Sequence, residues 1–228
     1  MNHKIYHPQI FALRLRFEAH ASVNKSAAMA SYMKDRFPFH GLQKPLRSEL
    51  QKDFLSEVKL ASVEITFELA RELWEQPERE YQYVAMEMLM GIKRKWNEES
   101  LRLFEELILT KSWWDTVDHL ASRMVGGYCL KDHERHAGKM MDYAESDNSW
   151  LNRTALIHQL FYREKTDVEL FEAVFLKCHH KKEFFIQKAI GWALRQYGAT
   201  DPGYVLEFTR RHALSPLAKR EALRKLII

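Results

Sequence analysis

Two tryptophans and one aspartate carry the most chemical information in this sequence. In the run Lys111-Ser112-Trp113-Trp114-Asp115-Thr116-Val117-Asp118, Trp114 and Asp118 are four apart, which on a helix makes them neighbours on one flank. A helix starting at Ser112, with Asp115 three residues later as in a capping box, would bury Trp113, Val117, Leu120, Ala121 and Met124. Trp114 then lies about 75° from the centre of that stripe and Asp118 about 115° from it. Farther along, the stretch from Phe184 to Tyr197 buries Ile186, Ile190, Ala193, Leu194 and Tyr197. It turns Trp192 about 140° away, between Lys188 at i−4 and Arg195 at i+3. Gly191 costs that helix about 1 kcal/mol relative to alanine, which points to close approach by something outside it. On a third helix Arg153 stands about 70° off a stripe of Trp150, Thr154, Ile157 and Phe161. Its fork could there meet a phosphate; an intramolecular ion pair accounts for it equally well. Plain amphipathic packing or an interface would also account for the two tryptophans.

Indole faces attract cations and cover the apolar surfaces of sugars and bases. A carboxylate stabilises a developing positive charge or orients a water for attack. Basic groups around them hold phosphates and make affinity salt-dependent. The combination fits a polyanionic substrate that reacts through a cationic transition state. Loss of a charged purine from DNA through an oxocarbenium-like sugar meets both conditions.

The elements that must position these groups are helices. Tyr81, Val84, Ala85, Met88, Leu89 and Ile92 fall at i, i+3, i+4, i+7, i+8 and i+11, a full apolar stripe. Pro77 reads as the first position of that helix, with Glu78 and Glu80 at the positive end of its dipole. Val63, Phe67, Ala70 and Trp74 repeat the pattern one helix earlier, and Leu46, Leu50 and Phe54 do so after Pro45. Further helices read from Pro8, Ser62, Asn97, Ser112, Asn148, Asp167, Glu183, Pro202 and Ser215, while 126–139 gives no clear pattern. Glycine and proline together supply 14 of 228 residues, too few for a turn-rich all-β fold. Helix pairs recurring every ~35–40 residues suggest an α-solenoid of HEAT or armadillo type; a compact bundle is the alternative. The expectation is therefore an all-α solenoid of antiparallel helix pairs, one domain over 1–228, with a concave face long enough for a duplex.

Net charge is +4, unevenly distributed. From Leu176 to the end there are 11 Lys/Arg against 4 Asp/Glu, leaving 24 basic and 27 acidic groups in the other 175 residues. A basic final quarter on a slightly acidic body fits a polyanion footprint or a solvated helical face.

Over nearly its whole length the sequence resembles the AlkD-type DNA alkylation repair glycosylases of the HEAT-like repeat superfamily. The resemblance is carried by Tyr32-Met33-Lys34, by 71–80, and by Glu105-Glu106-Leu107-Ile108. It is strongest in 110–118 (TKSWWDTVD), in 146–151 (SDNSWL) and in 182–192 (KEFFIQKAIGW), and closes with 216–222 (PLAKREA). It implies excision of N3- and N7-alkylated purines from duplex DNA, with Trp114, Asp118 and Trp192 as the catalytic set. It also implies that the lesion is not drawn into a base pocket: the indoles contact the deoxyribose and Asp118 stabilises the sugar cation and positions water. Arg153 matches an arginine of the DNA-facing cleft and Tyr32 a tyrosine near DNA. Gln43, Lys44, Arg47, Lys188 and Arg195 match as backbone contacts. The sequence departs from the family pattern in its segment through Tyr6, in Lys44, in 126–139 and in ending at Ile228. A non-catalytic branch of the superfamily lacks part of the tryptophan–aspartate set, which is complete in this chain.

Other constellations point to little chemistry. His133 with His136, and His179 with His180, lack a third ligand nearby, so no metal is expected, and no organic cofactor. Cys129 and Cys178, 49 apart without a CxxC, read as reduced core residues of a cytoplasmic protein. No uncharged run reaches the ~18 residues of a membrane span, and the first eight residues lack a signal-peptide core. The expected partner is double-stranded DNA containing alkylated purines, bound by a monomer. The competing class is a helical-repeat module that binds DNA or protein without chemistry.

Overall fold

The computed structural model describes residues 7–226, in which every regular element is helical. The segment through Tyr6 and the last two residues lie outside the described residues. The chain divides between Ser100 and Leu101 into two compact units, where the sequence reading expects one domain over 1–228.

The first unit holds α1 (Pro8–Ala19), α2 (Val23–Tyr32), α3 (Lys44–Leu50), α4 (Lys52–Val58), α5 (Val63–Glu75) and α6 (Arg79–Gly91). Ser62 caps α5 through its hydroxyl, and the stripe Tyr81, Val84, Ala85, Met88, Leu89, Ile92 is buried as its spacing predicts. Pro77 lies outside α6, which starts two residues later behind Glu78. Glu80 is not a solvated dipole partner. It is buried and accepts the backbone N–H groups of His40, Gly41 and Leu42 at 3.1, 2.9 and 3.0 Å, which anchors the loop leading to Gln43. The single helix expected after Pro45 is two short ones, α3 and α4, and Arg47 rather than Leu46 faces inward.

The second unit holds most of α7 (Glu98–Leu109), then α8 (Trp114–His119), a π-helical segment Leu120–Val125, α9 (Gly126–Cys129) and α10 (His133–Glu145). It continues with α11 (Ser149–Ile157), α12 (Val168–Cys178), α13 (Phe184–Tyr197), α14 (Pro202–Arg211) and α15 (Pro216–Leu223). Asn148, Asp167, Asp201 and Ser215 cap their helices through side-chain oxygens. Ser112 does not cap α8: its hydroxyl donates to the Ile108 carbonyl at 2.6 Å and so closes α7. Trp113 is the N-cap, in extended backbone two residues after Lys111 in the left-handed region. Phe161 lies past the end of α11 and is exposed rather than buried. Three helices escape the sequence reading: α2, which has no buried residue, and α9 and α10, which begin within the stretch 126–139. Cys129 and Cys178 are buried, and burial pushes their thiols up to about 12 and about 11.

One hydrogen-bonding device recurs. A buried amide on the second helix of a pair donates its N–H groups to the carbonyls that end the first. Gln82 Nε2 reaches Leu73, Trp74 and Gln76 at 3.3, 3.0 and 2.9 Å. Asn152 Nδ2 reaches Tyr143, Ala144 and Ser146 at 2.8, 3.1 and 2.8 Å. Gln187 Nε2 reaches His179 and Lys181 at 3.2 and 2.6 Å. Each clamp satisfies carbonyls that a helix end leaves without partners and ties α5 to α6, α10 to α11, and α12 to α13.

The π-helical segment follows directly on the helix bearing Trp114 and Asp118. It widens the turn, and Leu120, Ala121, Met124 and Val125 are all buried. The next residue, Gly126, packs so tightly that an added Cβ would run into the carbonyl oxygen of His158, while Tyr162 Oη donates to the Gly126 carbonyl at 2.7 Å. Gly126→Ala should therefore destabilise the protein by about 3 kcal/mol despite alanine's better helix propensity. Urea unfolding measures this directly, and an unchanged midpoint would refute the close approach.

Candidate active site

Asp118 and Arg153 form the centre of the site. Arg153 Nε donates to Asp118 Oδ1 at 2.6 Å and Nη2 to Oδ2 at 2.9 Å, a two-pronged ion pair. Arg153 Nη1 donates to the Phe185 carbonyl. The guanidinium carbon lies 6.0 Å from the centre of the Trp192 ring. One side chain on α11 thus contacts α8 and α13 together. The Arg153 side chain is 5% exposed and that of Asp118 18%. Burial pushes the Asp118 carboxyl above its ordinary 3.8; the hydrogen bonds and charge of Arg153 pull it back, and Asp115 adds a smaller upward push.

Trp114, Asp118 and Trp192 line an open cleft of about 350 Å³ together with Arg153, Phe184, Phe185, Lys188, Arg195 and Glu221. The same three residues also line a second opening of about 280 Å³, with Asp115, His119, Ser122 and Arg123. Both indoles are half-buried. Behind the cleft, Trp113, Trp150 and Phe185 pack edge to face and tilted with ring centres 5.1 to 5.8 Å apart. This apolar floor fixes the start of α8 against α11 and α13.

The basic residues predicted to meet phosphates are less available than their spacing suggests. Lys188 Nζ lies 3.0 Å from Glu221 Oε1, and Arg195 Nη1 pairs with Glu221 Oε2. The hydrogen bond from Lys188 above all, and then that from Arg195, holds Glu221 below its ordinary 4.5 against the cost of burial. Gly191 is explained from within: an added Cβ would lie 2.5 Å from Glu221 Cβ and 2.6 Å from the Ala218 carbonyl, so the close approach is that of α15. Arg153 forms the intramolecular ion pair that stood as the alternative to a phosphate contact, and does not present a free fork. In the first unit, Tyr32 and Gln43 share a hollow of about 270 Å³ with Lys25, Met29, Phe39 and Tyr83, and Lys44 is exposed beside Gln43. Arg47 is turned inward instead: Nη2 donates to Glu87 Oε1 at 2.8 Å and the guanidinium lies 4.8 Å from the Tyr83 ring centre.

Sequence reasoning missed Phe184, Phe185, Glu221 and Arg123 as lining residues. For Glu221 the signal was present in Gly191, whose missing side chain marks where another helix must come close.

The fold and the cleft define an all-helical protein with an anchored carboxylate between two indoles. Residues 13–226 match the DNA alkylation repair enzyme family, and the chain belongs to that family. Among solved structures it is similar to one described as a predicted DNA alkylation repair enzyme from Enterococcus faecalis. The two are 34% identical, with a TM-score of 0.85, over 90% of this chain and 96% of that one. No curated protein matches the sequence.

Breaking a buried ion pair leaves an uncompensated charge and costs about 3 kcal/mol. Arg153→Met should lower stability at pH 7 by that amount, and adding Asp118→Asn should recover much of it. Unfolding of the two variants in urea tests this; a single variant as stable as wild type would show that the pair does not hold α8 to α11.

Proposed function

We propose that the protein is a DNA glycosylase that releases N3- and N7-alkylated purines from double-stranded DNA. The observation that carries this reading is the shared cleft of Trp114, Asp118 and Trp192, with the carboxylate fixed by Arg153. The two indole faces cover the deoxyribose and attract its developing positive charge. Arg153 occupies the inner edge of the carboxylate, and lone pairs facing the cleft serve the sugar and a water molecule. The N-glycosidic electron pair leaves with the alkylated purine, which departs as a neutral base, so no general acid is required. Water adds to C1′ of the sugar cation and its proton passes to solvent, with Asp118 orienting the water. The reaction needs no metal or organic cofactor. The open cleft suits contact through sugar and backbone without extrusion of the base into a pocket.

Under this proposal the recurrent amide clamp supports HEAT-like helix pairs within each unit. Tyr32, Gln43, Lys44, Lys188 and Arg195 contact the DNA backbone. Arg47 and Arg153 act instead by positioning: Arg47 orients Tyr83 beside Tyr32 and Gln43, and Arg153 holds Asp118. A non-catalytic binding module is the competing outcome.

Release of methylated purine from alkylated duplex decides between the two. Asp118→Asn should slow release about 10²-fold while sparing binding to undamaged duplex; a wild-type protein that releases nothing establishes the binding module. Because the ionised carboxylate is the active form, release should decline as pH falls through the Asp118 pKa. Burial raises that pKa, so the acid limb lies above pH 3.8, and removing the opposing charge in Arg153→Met should move it higher still. A pH profile unaltered by Arg153→Met would contradict the assignment of the limb to Asp118.

A further inference from the structure

The four Arg and Lys side chains that line the two openings of the cleft are not equivalent. Arg153 is paired with Asp118, and Lys188 and Arg195 share Glu221. Among the described residues, Arg123 alone of the four meets no carboxylate. Its guanidinium carbon stands 3.4 Å from the centre of the Phe161 ring, van der Waals contact with the ring face. Stacking of this kind leaves the in-plane N–H groups directed outward and restricts the side chain before any ligand arrives.

Three features place it there. Arg123 belongs to the π-helical segment, where it is exposed while Ser122 and Met124 on either side are buried. The contact of Gly126 with the His158 carbonyl brings that segment against the turn bearing Phe161. Asp118, which lines the same opening, has its carboxylate already occupied by Arg153. Asp115 also lines this opening but makes no ion pair with Arg123, so an oriented guanidinium beside the triad is left to an anion from outside.

We infer that Arg123, stacked on Phe161, is a phosphodiester-binding residue at the second opening of the cleft. It grips the strand whose sugar meets Trp114, Asp118 and Trp192, on the side not served by Lys188 and Arg195. The inference rests on the reading that DNA occupies the cleft, and it deepens that reading by assigning a contact on the other side of the reacting sugar. The in-plane fork suits a phosphate's oxygens, and the contact contributes affinity without base specificity.

The test is the salt dependence of binding to an undamaged duplex, followed by fluorescence anisotropy for wild type, Arg123→Gln, Arg123→Lys and Arg210→Gln. The last removes the same charge from α14, in a residue that lines neither opening. Arg123→Gln should flatten the log–log salt slope by about 0.9 and weaken binding roughly fivefold to tenfold near 0.1 M salt. Arg123→Lys should keep most of the slope, and Arg210→Gln should leave it unchanged. An unchanged slope in Arg123→Gln, or an equal loss in Arg210→Gln, overturns the assignment. Base release from alkylated duplex, measured alongside, separates the two readings. A wild type that binds but releases nothing removes the glycosylase and leaves the Arg123 contact standing. An active wild type whose slope is untouched by Arg123→Gln removes the contact alone.

Discussion

The site depends on a buried ion pair. A lone carboxylate at the depth of Asp118 would be driven toward its neutral form, and a lone guanidinium at the depth of Arg153 would be costly to bury. Each makes the other tolerable, and the geometry allows it because three helices converge on one side chain. Arg153 donates to α8 through Asp118, to α13 through the Phe185 carbonyl, and lies against Trp192. The pair as a whole is neutral, but it is oriented. Its negative end belongs to the residue lining both openings and its positive end is turned into the protein. A fixed dipole of this kind acts on a developing cation without reorganising, in a setting where screening is weak.

Electrostatics around that pair are graded. Lys188, Arg195 and Glu221 together carry one positive charge, and Arg123 carries another at the second opening, which Asp115 also lines. Positive charge is therefore held back from Asp118 and kept toward the rims. A polyanionic strand needs cations for affinity, whereas a cationic sugar is destabilised by cations close to it. On the proposed glycosylase reading, Glu221 reconciles the two demands by reducing the charge of the wall nearest Trp192 without removing either basic side chain. The basic final quarter of the sequence is thus a poor measure of the cleft's potential.

Helices and their starts were legible because their causes are local. Asn148, Asp167 and Ser215 cap within three residues of themselves, and the stripe from Tyr81 to Ile92 needs only its own spacing. The placement of Trp114, Asp118 and Trp192 off the buried stripes was legible for the same reason. What escaped depends on partners far along the chain. Arg153 finds Asp118 across 35 residues, Arg195 finds Glu221 across 26, and Arg47 finds Glu87 across 40. A helical wheel gives the direction in which a cation points, not what it meets there. Ser112 and Asp115 show the converse error: the capping-box spacing is present, but the hydroxyl finds a nearer carbonyl in the helix it ends.

The rhythm of helix pairs was legible, but what sets the register within a pair was not. A buried amide locks three of the helix pairs, glutamine at 82 and 187 but asparagine at 152, so no shared letter marks the device. Asn152 and Gln187 are nevertheless 35 residues apart, and Gln82 lies twice that distance before Asn152. A buried amide is expensive unless its bonds are made, so each clamp admits few angular settings of the second helix against the first. Arg153 follows Asn152 immediately, and Trp192 lies five residues after Gln187 on the same helix. The groups that set helix register are thus within two turns of the groups that face the cleft. On α11 and α13 the clamp fixes the setting from which Arg153 and Trp192 reach the cleft, and a helix α11 free to rotate by one residue, about 100°, would carry Arg153 away from Asp118.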